Sequence, residues 1–176
     1  METSRNLAVL LSVPESFLLS GLECLATQYE QEIHPAFLIY GSQEFEALSA
    51  VELARKGKAL EVFIYASNAA GDLPLNPEVW WKGIYMGVEA ASGGGRYRGK
   101  AIHRPAATLA GKKPSAVFWK MTDLKKQVAG MPIGRMQTLT KKVLLPDRYL
   151  PDKPTLIEYP FHQTKWFKPA ATTVRT

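Results

Sequence analysis

The sequence predicts an α+β domain whose sheet is mostly antiparallel and either curled or closed into a small barrel. Five or six short runs are rich in β-branched and aromatic residues, and two or three segments have helical periodicity. The two kinds of segment do not alternate regularly, which favours α+β over a parallel α/β fold. With 176 residues the chain is long enough for one core. We expect a single domain over residues 1–160, followed by a basic, aromatic tail over residues 161–176.

Residues 1–35 are interpreted as an N-terminal extension that contains a helix. Residues 6–12 are apolar enough for a short buried strand or for the start of a helix. A helix is predicted over residues 14–33, because Pro14 and Glu15 suit a first helical turn and apolar residues then recur every three or four positions. These positions are Leu18, Leu22, Leu25, Tyr29 and Ile33.

Two strands, a helix and a long strand are predicted up to residue 90. Residues 36–40 follow a proline and read as a buried strand. A helix follows, and the Arg-Lys-Gly run at residues 55–57 is typical of a helix end. Residues 59–65 and 79–90 are rich in β-branched and aromatic residues, and the loop between them contains Asn, Gly, Asp and Pro.

The second half is predicted to be richer in loops. Three consecutive glycines, Gly93 to Gly95, follow the long strand. Further strands are predicted at residues 101–103, 115–121, 138–145 and 155–159. A short helix is predicted to begin at Thr122 or Asp123.

Charge is distributed unevenly along the chain. The net charge of +6 combines a net −7 over residues 1–95 with a net +13 over residues 96–176. Such asymmetry is typical of proteins that bind polyanions. The alternatives are an acidic half that docks on the basic half, or a partner subunit of complementary charge.

A cationic segment follows the three glycines. Arg96, Tyr97, Arg98, Lys100, His103 and Arg104 lie within nine positions, and Lys112 and Lys113 come next. Cations that meet phosphates beside aromatic rings that stack on bases are what a nucleic-acid surface needs. The glycines are expected to give this segment mobility. The alternative is an ordinary hairpin whose loop happens to be basic.

Two adjacent tryptophans precede the glycines. Trp80 and Trp81 are expected to face opposite sides of a strand, one in the core and one available for stacking.

The sequence argues against the common catalytic motifs. Gly94 to Lys100 approaches a phosphate-binding P-loop, but Ala101 replaces the required Ser or Thr and Pro105 interrupts the required helix. The three histidines and the single Cys24 lack metal-ligand spacing. We therefore expect no metal, no cofactor and no enzymatic activity. The remaining enzymatic alternative is a metal-free ribonuclease that uses His103 with neighbouring cations.

Parts of the chain resemble the PUA-like superfamily, in particular its EVE-type and ASCH-type domains. Residues 36–44 (Ala-Phe-Leu-Ile-Tyr-Gly-Ser-Gln-Glu) and 62–67 (Val-Phe-Ile-Tyr-Ala-Ser) are similar to the opening of such domains. Residues 116–124, followed by Pro132, are similar to their late strand. The resemblance covers roughly residues 36–160. The usual Lys-Ser-Glu-Pro turn is absent.

The resemblance implies a pseudo-barrel that binds RNA or a modified base, often in an aromatic pocket. By position it places Tyr40, Ser42, Tyr65 and Ser67 near that pocket. The expected function is therefore a non-catalytic nucleic-acid-binding module, with RNA favoured over DNA. The alternative is an accessory subunit of a ribonucleoprotein, such as a CRISPR antiviral effector, that docks a protein through its acidic N-terminal half. We expect a cytoplasmic protein without a membrane segment.

Overall fold

The computed structural model describes residues 2–72, 74–111 and 113–162. Six strands form one sheet, accompanied by two α-helices and several short 3₁₀ turns. The strands are β1 (Leu7–Pro14), β2 (Leu38–Ser42), β3 (Leu60–Ser67), β4 (Glu78–Ala90), β5 (Val117–Pro132) and β6 (Thr155–Glu158). The helices are α1 (Glu15–Glu30) and α2 (Phe45–Arg55).

The sheet has the strand order β2-β5-β4-β3-β1-β6. Within the described ranges β1 and β3 form the one parallel pair, and the other neighbours are antiparallel. The sheet is curled but does not close into a barrel over these residues, since β2 and β6 remain its two edges. The prediction of an α+β fold with a mostly antiparallel, curled sheet is confirmed, and the alternative of a closed barrel is not.

The pairing of β4 with β5 is the longest ladder of the sheet. It extends from the Glu78–Pro132 pair to the Ala90–Val117 pair and contains three register shifts. Such bulges bend and twist a strand pair. Gly83 permits close packing within this bend, because a Cβ there would lie 2.9 Å from Cγ of Met121 and 3.1 Å from the carbonyl oxygen of Thr122.

Hydrophobic side chains fill both faces of the central strands. One face packs against α1 and α2 and buries Trp81, Tyr85 and Trp119 among aliphatic residues. The opposite face of β1 and β3 is covered by the segment after β5, around Ile133 and Met136. Because parallel strands are normally covered on both sides, this arrangement suits the β1–β3 pair.

Most predicted elements are present with shifted ends. The helix predicted over residues 14–33 spans Glu15–Glu30. The chain turns after it, where Glu32 has a left-handed φ of 54°. The apolar run at residues 6–12 is the strand β1, not the start of a helix.

Three predictions in the second half are wrong. Thr122 and Asp123 do not begin a helix, because β5 continues to Pro132 through its backbone pairing with β4. Residues 101–103 form a 3₁₀ turn and not a strand. Residues 138–145 form only isolated bridges, since a tight turn with Lys142 at φ 50° brings the segment back on itself.

Of the predicted tail, Phe161 packs against Phe63 with ring centroids 6.0 Å apart. Residues 163–176 lie outside the described residues.

Candidate nucleic-acid interface

The cationic segment is docked on the protein and is not a free hairpin tip. We call residues 96–109 the basic strap. The ring of Tyr97 lies 5.4 Å from that of Phe118, and the Arg104 guanidinium lies 4.9 Å from the same ring. Farther along, the amide of Ala107 donates to Ser20 Oγ of α1 at 3.0 Å. The strap therefore joins the outer face of β5 to α1.

The triple-glycine turn that leads into the strap is closed by hydrogen bonds. The amide of Gly95 donates to the carbonyl of Ser92 at 2.8 Å, and the amide of Ser115 donates to the carbonyl of Gly95 at 2.8 Å. Gly95 has a φ of +70°, and a Cβ there would lie 2.9 Å from Cα of Pro114. The glycine thus serves a tight turn and a close approach of two chain segments.

The strap presents cations on its outer side. Arg96, Arg98 and Lys100 are exposed, as is Lys113, which lies two residues before the Ser115 contact with Gly95. In the described part of the chain none of these four forms an ion pair within 4 Å. Residues 90–122 contain no Asp or Glu, so the local positive charge is not neutralised within this segment. Lys112 lies outside the described residues.

Arg104 differs from these cations because it is half buried. One of its guanidinium nitrogens donates to Thr108 Oγ1 at 3.2 Å, and its Nε is buried without a hydrogen-bond partner. Burial lowers the pKa of Arg104 from its ordinary value. Arg104 therefore holds the strap against Phe118 and does not reach outward.

His103 is a buried residue of the strap, with 6% of its surface exposed. Its ring stacks on Phe37 at 3.7 Å between centroids, and Nδ1 lies 2.9 Å from Oε1 of Gln28. Gln28, itself fully buried, bonds both the amide and the carbonyl of Phe37. This network attaches the strap to α1 and to the entry of β2, so His103 is placed for packing and not for contact with phosphate.

Tyr40 and Ser42 also have structural contacts. The hydroxyl of Tyr40 donates to the carbonyl of Phe17 at 3.0 Å, and its ring stacks on Trp119. Ser42 Oγ accepts from the amide of Glu44 at 3.0 Å. Both residues line a small cavity of about 150 Å³ between β1 and β2.

A larger cavity lies where the parallel strands β1 and β3 end and β4 begins. It has a volume of about 370 Å³, within the range of roughly 300–1,000 Å³ that is usual for small-ligand sites. Three predicted site residues, Tyr65, Trp80 and Trp81, line it together. Trp81 is 2% exposed and belongs to the core, whereas Trp80 is 39% exposed. The expectation that one of the two tryptophans is core and the other accessible is confirmed. We call this space the aromatic cavity.

Carboxylates and one lysine complete the aromatic cavity. Its lining includes Glu15, Asp72, Glu78 and Lys126. The Tyr65 hydroxyl donates to both oxygens of Asp72, at 2.5 and 2.7 Å. Burial, together with the Asp72 carboxylate, raises the pKa of Tyr65 to about 12, so it remains a donor at neutral pH. Within the described ranges, no three side chains of His, Cys, Asp or Glu lie close enough together to hold a metal ion.

The start of the strap and the aromatic cavity lie at opposite ends of β4. Trp80 lies near the start of β4, and the strap follows the end of β4 at Ala90. Ten residues of extended strand span roughly 33 Å before any bend. The exposed cations at the start of the strap, Arg96, Arg98 and Lys100, are therefore not part of the aromatic cavity.

Sequence reasoning missed the charged residues of the aromatic cavity. The alternation of strand side chains is a usable signal for Glu78, which is two residues from Trp80 on β4. No comparable signal exists for Lys126, because its position opposite Trp81 depends on the β4–β5 register. Glu15 and Asp72 reach the cavity through the parallel pairing of β1 with β3.

Comparison with protein-family models, with curated proteins and with solved structures finds no match to this chain. In the part of the chain that the structure describes, no helix is long and apolar enough to cross a membrane.

The burial of His103 predicts a pH-dependent stability. Burial lowers its pKa; the hydrogen bond with the carbonyl of Phe37 opposes this effect, and the neighbouring Lys120 and Lys100 add to it. In the unfolded chain His103 takes up a proton below about pH 6.5, while in the folded protein it remains neutral to lower pH. Protons therefore favour unfolding, and this contribution to the free energy of unfolding is lost as the pH falls below about 6.5.

We expect chemical denaturation between about pH 7.5 and 5.5 to show a loss of stability that is smaller in His103→Gln than in the native chain. The other titrating groups are the same in both proteins, so their contributions cancel when the two slopes of the free energy of unfolding against pH are compared. His34→Gln, at an exposed histidine, is the control for the exchange of histidine for glutamine. Equal slopes in the native chain and His103→Gln would contradict the assignment.

Proposed function

We propose that this protein is a non-catalytic module that binds single-stranded nucleic acid, with a base in the aromatic cavity and phosphates on the strap. The observation that carries the proposal is Trp80, an indole that is 39% exposed at a cavity large enough for a nucleobase. A base stacked on an exposed aromatic ring contributes about 1–3 kcal/mol of binding free energy.

The charges of the two regions support different roles. The aromatic cavity contains three carboxylates and one lysine, so a phosphate group would be repelled there. Carboxylates do accept hydrogen bonds from the amino groups of bases. Exposed arginines and lysines on the strap are suited to phosphates instead. Because the regions are at opposite ends of β4, they would contact different nucleotides of one strand.

The preference for RNA and a cytoplasmic location are parts of this proposal. The resemblance to PUA-like domains supports RNA or a modified base as the ligand. The single cysteine supports a reducing compartment. The burial of His103 and its bond to Gln28 favour binding over a ribonuclease based on that histidine.

Removal of the Trp80 indole tests the base site. Trp80→Ala should weaken the binding of a short single-stranded RNA by about 5- to 150-fold, because the stacking contact is lost. Fluorescence anisotropy of an end-labelled oligonucleotide measures the affinity. Tyr29→Ala is the matched control, since Tyr29 is another exposed aromatic side chain, on α1. An unchanged affinity in Trp80→Ala would refute base stacking at this cavity.

Removal of two strap cations tests the phosphate site. In the double variant Arg96→Gln/Arg98→Gln, the slope of log affinity against log salt concentration should become shallower by about 1.4, at roughly 0.7 per phosphate contact on a single strand. The effect should not depend on base sequence. The double variant Lys141→Gln/Arg148→Gln removes two exposed cations outside the strap and should leave the slope nearly unchanged. If the salt slope became shallower by the same amount in both double variants, the effect would be one of net charge and not of phosphate contacts on the strap.

A second candidate function is that of an accessory subunit in a ribonucleoprotein. The observation that favours it is a set of exposed apolar side chains on α1, namely Leu19, Leu22 and Tyr29, at 49%, 37% and 52% exposure. Grouped exposed apolar side chains are typical of protein interfaces. The acidic residues Glu23 and Glu30 on the same helix agree with a basic partner surface.

Purification of the tagged chain from its native cell tests this candidate. We expect a partner protein and RNA to copurify, and Leu19→Ser/Leu22→Ser to lose the protein partner while it keeps RNA affinity. Leu53→Ser is the control, because Leu53 is 83% exposed but lies on α2. A stable monomer free of RNA would argue against the subunit role.

A further inference from the structure

We propose that the aromatic cavity selects guanine among the four bases, with Glu78 accepting from its Watson–Crick edge and Lys126 donating to O6 and N7. This inference rests on the proposed function and specifies the base that the cavity receives. It depends on the chemistry and positions of three side chains, Trp80, Glu78 and Lys126.

Glu78 is adjacent to the stacking surface. A Cβ built at Gly130 of β5 would contact Oε2 of Glu78 and would lie 2.7 Å from Cε2 and 2.8 Å from Nε1 of Trp80. The carboxylate and the indole therefore lie together over the same glycine. A base that stacks on Trp80 presents its edge to this carboxylate. Gly130 is part of the site because its missing side chain leaves the space that both groups occupy.

The other two carboxylates of the cavity have different positions. Both oxygens of Asp72 already accept the Tyr65 hydroxyl. Glu15 belongs to the first turn of α1, across the cavity from the β4–β5 ladder. In the described ranges Glu78 has no ion pair within 4 Å, so its acceptors are available to a ligand.

Lys126 supplies a donor to the same cavity. Its Cα is paired with that of Trp81 across the ladder, and its ammonium lies 5.9 Å from the Trp81 ring centroid. Three strand residues, roughly 10 Å, separate Glu78 from Trp81 along β4. Glu78 and Lys126 thus bring an acceptor group and a donor group to the lining of the same cavity.

Guanine matches this pair of groups. Its N1–H and N2 amino group are adjacent donors, which a carboxylate accepts in a bidentate manner. Its O6 and N7 are adjacent acceptors, to which lysine is a usual partner. Uracil has a single N–H between two carbonyls. It would therefore donate only one hydrogen bond to the carboxylate and would place a carbonyl oxygen against it.

The experiment measures binding of a short oligouridylate in which one central uridine is replaced by guanosine, inosine, adenosine or cytidine. Anisotropy of the labelled strand gives each affinity at one fixed salt concentration. The guanosine strand should bind about 5- to 150-fold more tightly than oligouridylate, the range expected for one bidentate base contact. The inosine strand, which lacks the N2 amino group, should lose most of this gain.

Variants identify the groups responsible. Glu78→Gln should abolish the preference for guanosine over uridine, whereas Lys126→Gln should reduce this preference in part. Glu46→Gln, an exposed acid on α2, is the matched control and should keep the preference. Circular dichroism shows that each variant is folded, and the preference is the ratio of the guanosine and oligouridylate affinities of the same variant.

The outcomes separate the two levels of the proposal. If no strand binds the native chain, both the proposed function and the guanine preference are overturned. If all strands bind equally, or uridine is preferred, nucleic-acid binding stands and guanine selection is refuted. A guanosine preference that persists in Glu78→Gln overturns the role of Glu78.

Discussion

The structure depends on the backbone ladder between β4 and β5. This ladder connects the half of the sheet that contains β2 to the half that contains β3, β1 and β6. Its register shifts bend this strand pair, and α1 and α2 cover one face of the sheet. The same ladder places Trp80, Trp81, Lys126 and Gly130 at one end and the glycine turn at the other. Fold and candidate site are therefore consequences of one set of main-chain hydrogen bonds.

The strap shows how a segment can carry both structure and charge. Tyr97, His103 and Arg104 are used for packing on Phe118 and Phe37, and a buried glutamine completes the attachment. The residues between them are left with their charged groups in solvent. Holding the cations on a docked segment reduces the conformational entropy that a phosphate contact would otherwise cost. The cations of the strap are thus preorganised for binding while their charged groups remain in solvent.

The sequence predicts local elements well and long-range pairings poorly. The strands β2 and β3 are recognisable because apolar runs are bounded by Pro35, Gly41 and the Asn-Gly-Asp-Pro loop. The second half of β5 is not, because Lys125, Lys126 and Gln127 lack an apolar alternation and become a strand only by pairing with β4. The local signal there was that of a helix start, and tertiary pairing overrode it.

The same distinction explains the candidate site. Trp80, Trp81 and Tyr65 were recognisable as aromatic residues of strands, and the antiparallel pairing of β3 with β4 brings them to one cavity. Their separation from the strap was not recognisable, because nearness in sequence says little about position along a thirteen-residue strand. The cavity carboxylates come from three chain segments, which only the topology brings together.

The interleaving of the two chain halves has a consequence for biosynthesis. β2 is complete at Ser42, but its neighbour β5 begins only at Val117, and the outer edge of β1 is covered only by β6. As the chain leaves the ribosome, β1, α1, β2, α2 and β3 are therefore synthesised well before the strand that joins β2 to the rest of the sheet. Such non-local pairing makes folding slow and leaves strand edges exposed to misassociation in the meantime. In a nascent chain, β2 can therefore join the rest of the sheet only after β5 has emerged from the ribosome.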